Sequence, residues 1–246
     1  MKKFANKTVL VTGGSRGIGA AITKRLAEEG ANVAFTYNRS GEKAQAIATA
    51  INHAGGKALA IRANSGVPDD VTDAVKQTVK EFGGIDILVS NAGIYIGKPF
   101  EDHTLEEYEE IMSVNVRAVY VAAHAAVKHM GAGGRIITIG SNMADGSMGP
   151  QTTLYAMSKS ALQGFTRGLA RDLGPKKITV NVVQPGPVDT DMNPADSELA
   201  NFVRSRLALA DYGTGDDIAG LVSFLAGDEG KFITGSFLTI DGGFNA

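Results

Sequence analysis

Thr8-Val9-Leu10-Val11-Thr12-Gly13-Gly14-Ser15-Arg16-Gly17-Ile18-Gly19 is the stretch on which the fold of this chain turns. Thr8–Val11 is a short apolar, β-branched run of the kind that forms a buried strand, and from Ile18 to Glu29 the apolar spacing is helical. Glycines between a strand and a helix let the backbone come close to a bound group. The helix start adds free N–H groups and a partial positive charge, so Gly13, Ser15, Arg16, Gly17, Ile18 and Gly19 are suited to hold a pyrophosphate. Glycine spacing alone would equally serve a tight turn with positive φ. The strand before and the helix after give the anion-binding reading its weight.

The same alternation continues outward. Apolar, β-branched runs recur at Asn32–Tyr37, Lys57–Ile61, Ile85–Val89, Arg135–Ile139, Ile178–Val183 and Phe237–Ile240. Helical patterns separate most of them, over Glu42–His53, Pro68–Phe82, Leu105–Met130, Leu154–Leu173 and Asp216–Leu225. Strands alternating with crossover helices predict an α/β chain: one doubly wound, Rossmann-type domain over 1–246, built on a mainly parallel, seven-stranded sheet. No low-complexity linker or internal repeat divides it. The rhythm breaks at 191–211, after a Pro-Gly-Pro turn, where a long loop mixes polar with apolar residues. Such an insertion is expected to be a substrate lid, or else a tolerated surface loop.

The chain has 246 residues, 43% hydrophobic and 20% charged, which is ordinary globular composition. Its 24 Lys and Arg against 26 Asp and Glu leave a net charge of -2, which offers no basic field for a nucleic acid polymer. With no cysteine there is no disulfide, thiolate zinc site or thiol nucleophile, and no metal site is expected. Residues 1–7 lead into the first strand without the apolar core of a secretory signal, and no apolar run is long enough to span a membrane. The expectation is a cytoplasmic protein that does not enter a membrane.

The second strand should end near Thr36, where dinucleotide folds specific for NAD place a carboxylate against the ribose hydroxyls. Here the sequence reads Thr36-Tyr37-Asn38-Arg39-Ser40, with no acid before Glu42. With no acid to repel it and Arg16 and Arg39 to attract it, a 2′-phosphate fits. Asn38, Arg39 and Ser40 are therefore read as part of an NADP(H) site.

Farther along, Tyr155-Ala156-Met157-Ser158-Lys159 sets a phenol and an ammonium four residues apart on one face of the Leu154–Leu173 helix. Tyrosine, with an ordinary pKa of about 10, is a poor proton carrier near neutrality, and a fixed cation nearby pulls that value down. By itself the pair also reads as a half-buried tyrosine beside a solvated lysine.

Taken in order, these motifs resemble the short-chain dehydrogenase/reductase family over nearly the whole chain. Asn91-Ala92-Gly93 follows the fourth strand as the family's Asn-Ala-Gly does, Asn115 in Val114-Asn115-Val116 matches its asparagine, and Ser141 matches its serine. Pro185-Gly186-Pro187-Val188-Asp189-Thr190 looks like its nicotinamide loop, and Ile240-Asp241-Gly242-Gly243 like its C-terminal turn. The resemblance implies NADP(H)-dependent reduction of a small-molecule ketone or aldehyde. Tyr155 would give a proton to the carbonyl oxygen and Ser141 would hold that oxygen. Lys159 would lower the tyrosine pKa and hold the nicotinamide ribose, and Asn115 would brace a proton-relaying water. Asn91, Ala92 and Gly93 are expected beside the adenine ribose, and Asn64 and Ser65 beside the adenine. Pro185, Gly186, Val188 and Thr190 are expected around the nicotinamide. A homotetramer, formed through the helices Leu105–Met130 and Leu154–Leu173 and the C-terminal strand, follows from the same resemblance.

The chain departs from the family pattern in its substrate loop. Ser141 lies one position farther from Tyr155 than in most relatives, and Asn142 stands at the usual spacing. Because Gly140-Ser141 directly ends the run Ile136–Ile139, Ser141 with one extra loop residue is preferred. That residue falls in 142–154, a loop rich in Gly and Met that should wall a partly apolar pocket together with Tyr95, Met143 and Met192. The likeness is nearest to 3-oxoacyl-carrier-protein reductases, yet His129-Met130-Gly131-Ala132-Gly133-Gly134 lacks the basic pair that would grip an acidic carrier. Only Lys176 and Lys177 remain on the other side, which favours a free ketone or aldehyde. The segments Ser158–Gly164 and Asn181–Asp191 are also close to a bacterial branch of cyclic-di-GMP-binding biofilm-dispersal proteins. That likeness implies an alternative role, nucleotide binding in place of redox chemistry.

Overall fold

The computed structural model describes residues 2–147 and 149–246. Strands β1 (Thr8–Val11), β2 (Asn32–Tyr37), β3 (Lys57–Arg62), β4 (Ile87–Ser90), β5 (Arg135–Ile139), β6 (Thr179–Pro185) and β7 (Phe237–Ile240) form one sheet in the order β3-β2-β1-β4-β5-β6-β7. Every pairing is parallel, and Val11 stands opposite both Phe35 and Val89. The helices are α1 (Gly17–Glu28), α2 (Gly41–His53), α3 (Pro68–Phe82), α4 (Leu105–Met112), α5 (Ala118–Ala126), α6 (Thr153–Leu173), α7 (Ala200–Arg206) and α8 (Gly215–Ala226). This is the doubly wound, Rossmann-type α/β fold.

Both faces of the sheet are covered, which is why its strands read as continuous apolar runs. Val9 and Val11 pack with Val33, Phe35 and Val89 against α1, α2 and α8. Leu10 points the other way and packs with Ala34, Leu88 and Ile136 against α3, α5 and α6. Burying one such large side chain stabilises the fold by about 1.5–3 kcal/mol. The strand order reverses between β1 and β4, so the carboxyl ends of these two strands open a crevice between their following loops.

Beyond shifts of one or two residues at other element ends, such as β6 reaching Pro185 instead of Val183, three local features differ from the sequence reading. The fourth strand starts at Ile87 instead of Ile85 and extends to Ser90. The helix expected over Leu105–Met130 is broken by a π-helical turn, Ser113–Arg117, between α4 and α5, and it closes in a tight turn at Val127–His129. The long segment 191–211 contains α7, whose seven residues are too few for periodicity to mark. Among the described residues no helix is long and apolar enough to cross a membrane.

Candidate active site

At the β1–β4 crevice the chain encloses a cleft of about 860 Å³. Its floor is the glycine loop. Gly13 and Gly17 adopt φ of 67° and 52°, a backbone region that side chains disfavour. Gly19 is fixed by space: a Cβ there would lie 2.2 Å from the Gly13 carbonyl oxygen and 2.4 Å from Asn91 Nδ2. Helix α1 is thus seated directly on the loop that precedes it. Asn91 Nδ2 donates to the carbonyls of Thr12 and Gly13, each at 3.0 Å. Thr12 Oγ1 accepts from the N–H groups of Asn91 and Ala92, and the Gly13 N–H donates to Thr36 Oγ1 at 2.9 Å. No side chain caps the start of α1, and Ser15, Arg16, Gly17, Ile18 and Gly19 all line the cleft. This cradle fits a pyrophosphate. The Asn91 amide is a strut between β4 and the glycine loop, and Asn91 also lines the cleft, on the side where a ribose is expected.

Arg16, Asn38, Arg39, Ser40, Asn64 and Ser65 line one end of the same cleft. Arg16 Nη1 lies 3.6 Å, and Lys43 Nζ 3.5 Å, from Asp191 Oδ2, so a carboxylate from the start of the 191–211 segment bridges two cations at the cleft edge. Lys43 was invisible in the sequence reading because only contact across the cleft associates it with Arg16. Asn64 Oδ1, expected to face an adenine amino group, accepts from the Gly66 N–H at 3.0 Å and closes its own turn. One lone pair of that oxygen remains for a ligand.

Ser141, Tyr155 and Lys159 line the other end. Lys159 is buried, and its Nζ donates to the Ile139 carbonyl at 3.0 Å while lying 5.6 Å from the Tyr155 ring centre. Burial pushes Tyr155 up to about 12, against a hydrogen bond from Ser141 that lowers it, and the neighbouring Tyr95 adds a small raising effect. Burial also lowers Lys159 to about 8. The expected depression of the phenol by the ammonium does not appear here: the loss of water around the phenol dominates, and Lys159 is not among the groups that shift it.

Asn115 does not line the cleft. It sits within the π-helical turn with 1% exposure, and its Oδ1 accepts from the Ile94 N–H at 2.9 Å. Its Nδ2 donates to the Ile94 carbonyl and to Ser158 Oγ, both at 3.0 Å. A Cβ on Gly93 would stand 3.4 Å from Asn115 Oδ1 and 3.5 Å from Lys159 Nζ, so the glycine keeps open the space that joins the two.

Two neighbouring side chains, Ser141 and Asn142, occupy different surroundings. Ser141 Oγ accepts from the Met143 N–H at 3.1 Å, which leaves its own proton free to donate. Asn142 Nδ2 donates to Asp241 at 3.4 Å, and the Asn142 carbonyl accepts from Asn245 Nδ2 at 2.9 Å. The loop beyond is tied down by Asp145, which accepts from Gln163 and from the fully buried Gln184. Tyr95, Met143 and Met192 line the cleft as the sequence suggests, with the Tyr95 ring edge-on to Tyr155 at 5.2 Å. Met148, part of the expected loop wall, lies outside the described residues. Leu199, Val203 and Phe244 also line the cleft and were not anticipated.

A family model described as enoyl-(acyl carrier protein) reductase matches residues 13–245. A short chain dehydrogenase from Burkholderia cenocepacia, solved in complex with NADP, is 54% identical with a TM-score of 0.98, over 99% of this chain and 100% of that one. The cyclic-di-GMP-binding biofilm dispersal mediator protein of Escherichia coli is 44% identical over 100% of both chains. A hydroxynaphthalene reductase of Aspergillus fumigatus is 38% identical over 96% of this chain and 91% of that protein.

Proposed function

As this chain belongs to the short-chain dehydrogenase/reductase family, we propose that it is an NADPH-dependent reductase of ketones or aldehydes. The observation that carries this reading is one cleft with a glycine cradle at one end and the Ser141–Tyr155 hydroxyl pair beside Lys159 at the other. When bound, the reduced nicotinamide supplies the hydride that the carbonyl carbon takes up. Tyr155 retains its proton throughout the neutral range and gives it to the oxygen as negative charge develops there. Ser141 donates to the same oxygen. Lys159 steadies the phenolate left behind, and the space at Gly93 beside Asn115 offers the path by which a proton returns. The direct test follows NADPH oxidation by absorbance with a panel of activated ketones, and no turnover with any of them would overturn the reading.

Lys159 gives the reaction a pH signature. Its ammonium is charged below about 8 and neutral above, whereas Tyr155 stays protonated in both regimes. The kcat/KM for reduction is expected to be level in the neutral range and to fall as pH rises through about 8. Lys159→Arg keeps its charge to far higher pH, so whatever activity that variant retains should lack the alkaline fall. A fall that persists unchanged in the arginine variant would assign it to another group.

Arg16 and Arg39 support NADPH over NADH, in keeping with the NADP complex of the Burkholderia relative. Charge-assisted bonds to a phosphate contribute about 1.5–3 kcal/mol each. The double variant Arg16→Ala, Arg39→Ala should therefore raise the KM for NADPH by about 100-fold or more and leave that for NADH nearly unchanged. A preference for NADH in the unmodified chain would defeat the assignment.

A second reading is favoured by the full-length similarity to the Escherichia coli protein: binding of cyclic-di-GMP as the functional event. Calorimetric titration with that nucleotide, with and without NADPH, separates the two, since a dedicated reductase shows no micromolar binding. The reading extends to a cytoplasmic homotetramer of single-domain subunits in which the segment 191–211 serves as the substrate lid. Support for the association of subunits is the apolar surface of α4 and α5, where Leu105 is 70% and Tyr120 55% exposed.

A further inference from the structure

We infer that the site takes a bulky, uncharged ketone with an aromatic or fused carbocyclic body, and that Phe244 sets the size of that body; this rests on the reductase reading above. Besides Tyr155 the cleft is lined by Tyr95, Met143, Met192, Leu199, Val203 and Phe244, with the uncharged amides Asn142 and Asn193 on the same loops. Tyr95 presents its ring edge-on to Tyr155. The two methionines supply polarizable thioethers that adapt to a flat face. Val203 and Phe244 are buried and pack with Leu207 and Tyr212 in one apolar cluster, so the far wall is α7 pressed on the C-terminal turn. Tyr95, Met192 and Leu199 are 42%, 51% and 50% exposed, apolar surface that a ligand of the same character would cover.

The charges around this wall are committed elsewhere. Lys159 is buried and bonded to the Ile139 carbonyl. Arg16, which reaches Asp191 next to Met192, is assigned to the cofactor phosphate and so is not available to the substrate. The arginines of α7 do not line the cleft: Arg204 donates to the Ala195 carbonyl at 2.6 Å and lies over Tyr212, and Arg206 lies 5.9 Å from the Phe244 ring centre. A carboxylate or phosphate on the substrate would lose water there without gaining a cation, and it would approach the Asp191 carboxylate. An uncharged ring system meets neither cost.

Phe244 is held firmly enough to act as a gauge. Its N–H donates to the Asp241 carbonyl, and the next residue, Asn245, donates to the carbonyl of Asn142, immediately after Ser141. The turn that carries Phe244 is therefore bonded to the loop that carries the carbonyl-holding hydroxyl. A substrate body reaching from Ser141 towards α7 ends against that ring.

The test is steady-state reduction with NADPH of 2-tetralone, of a tetralone carboxylate of similar size, and of acetone, by the unmodified protein and by Phe244→Ala and Phe244→Leu. The expectation is a kcat/KM for 2-tetralone about 100-fold or more above that for its carboxylate. Phe244→Ala should raise the KM for 2-tetralone by about 10-fold, a larger factor than for acetone, and Phe244→Leu should recover part of the loss. If Phe244→Ala does not fold, the leucine variant and the charged–uncharged pair decide the matter. Equal or better use of the carboxylate overturns the substrate class, and an unchanged KM for 2-tetralone in both variants overturns the role of Phe244. If NADPH binds and none of the ketones is reduced, the reductase reading falls, and this inference falls with it.

Discussion

Tyr155→Phe is expected to lower kcat for ketone reduction by about 10²–10⁴-fold while leaving NADPH affinity within a few-fold of the original. The substitution removes one oxygen and keeps the ring that packs edge-on against Tyr95. The hydroxyl it removes is desolvated, as its pKa of about 12 records, so its loss leaves the fold essentially intact. On the proposed mechanism, what disappears is the proton that the carbonyl oxygen needs as the hydride reaches carbon. Ser141 still donates to that oxygen, but a serine hydroxyl is a far weaker acid and takes over only a small part of the task. The measurement is single-turnover NADPH oxidation beside a thermal melt. Retained turnover with an unchanged melt would remove Tyr155 from the proton-donor role.

Gly19→Ala should strike the other end of the cleft harder than its single methyl suggests. Its Cβ would sit 2.2 Å from the Gly13 carbonyl oxygen, a distance no rotamer relieves, since both atoms belong to main-chain positions. Helix α1 does not yield easily, because Ile22 and Leu26 are wholly buried in the core. The loop must move instead, and the Asn91 bonds to Thr12 and Gly13 go with it. We expect NADPH affinity to fall by about 100-fold or more and stability by about 1–3 kcal/mol, the usual cost of overpacking. Gly164→Ala is the control, since a Cβ there meets nothing within 4 Å and lies in α6, where alanine is favoured over glycine by about 1 kcal/mol. Binding that survives Gly19→Ala, measured by calorimetry on folded protein, would mean that the loop is not the pyrophosphate cradle.

What was legible in the sequence was whatever repeats locally. β-branched runs gave the strands, helical spacing gave most helices, and glycines between β1 and α1 gave the cradle. What was not legible depends on contacts between distant residues. The π-helical turn around Asn115 leaves an ordinary apolar spacing in Leu105–Met130, and only the bonds from Asn115 to Ile94 and Ser158 reveal where that side chain points. Asn91 lines the cleft, but the carbonyls that hold its amide lie 78 and 79 positions away in the chain, beyond any local pattern. The Tyr155 and Lys159 spacing was right for a shared face, but burial, which sequence does not display, moves both pKa values against the simple pairing argument. Phe244 carries no motif and enters the cleft wall only because α7 folds across it.

The way the glycine loop is hung has a thermodynamic corollary. Its Gly13 N–H is held by Thr36 of β2 and its Thr12 and Gly13 carbonyls by Asn91 just beyond β4, the strands on either side of β1. The cradle therefore exists only while the centre of the sheet is paired, so a bound dinucleotide favours the state in which those strands stay together. Occupancy then acts as a fastener on the whole fold. At a free concentration 100 times its Kd, a ligand confined to the folded state adds about 2.7 kcal/mol to global stability, shared by every element that unfolds with β1.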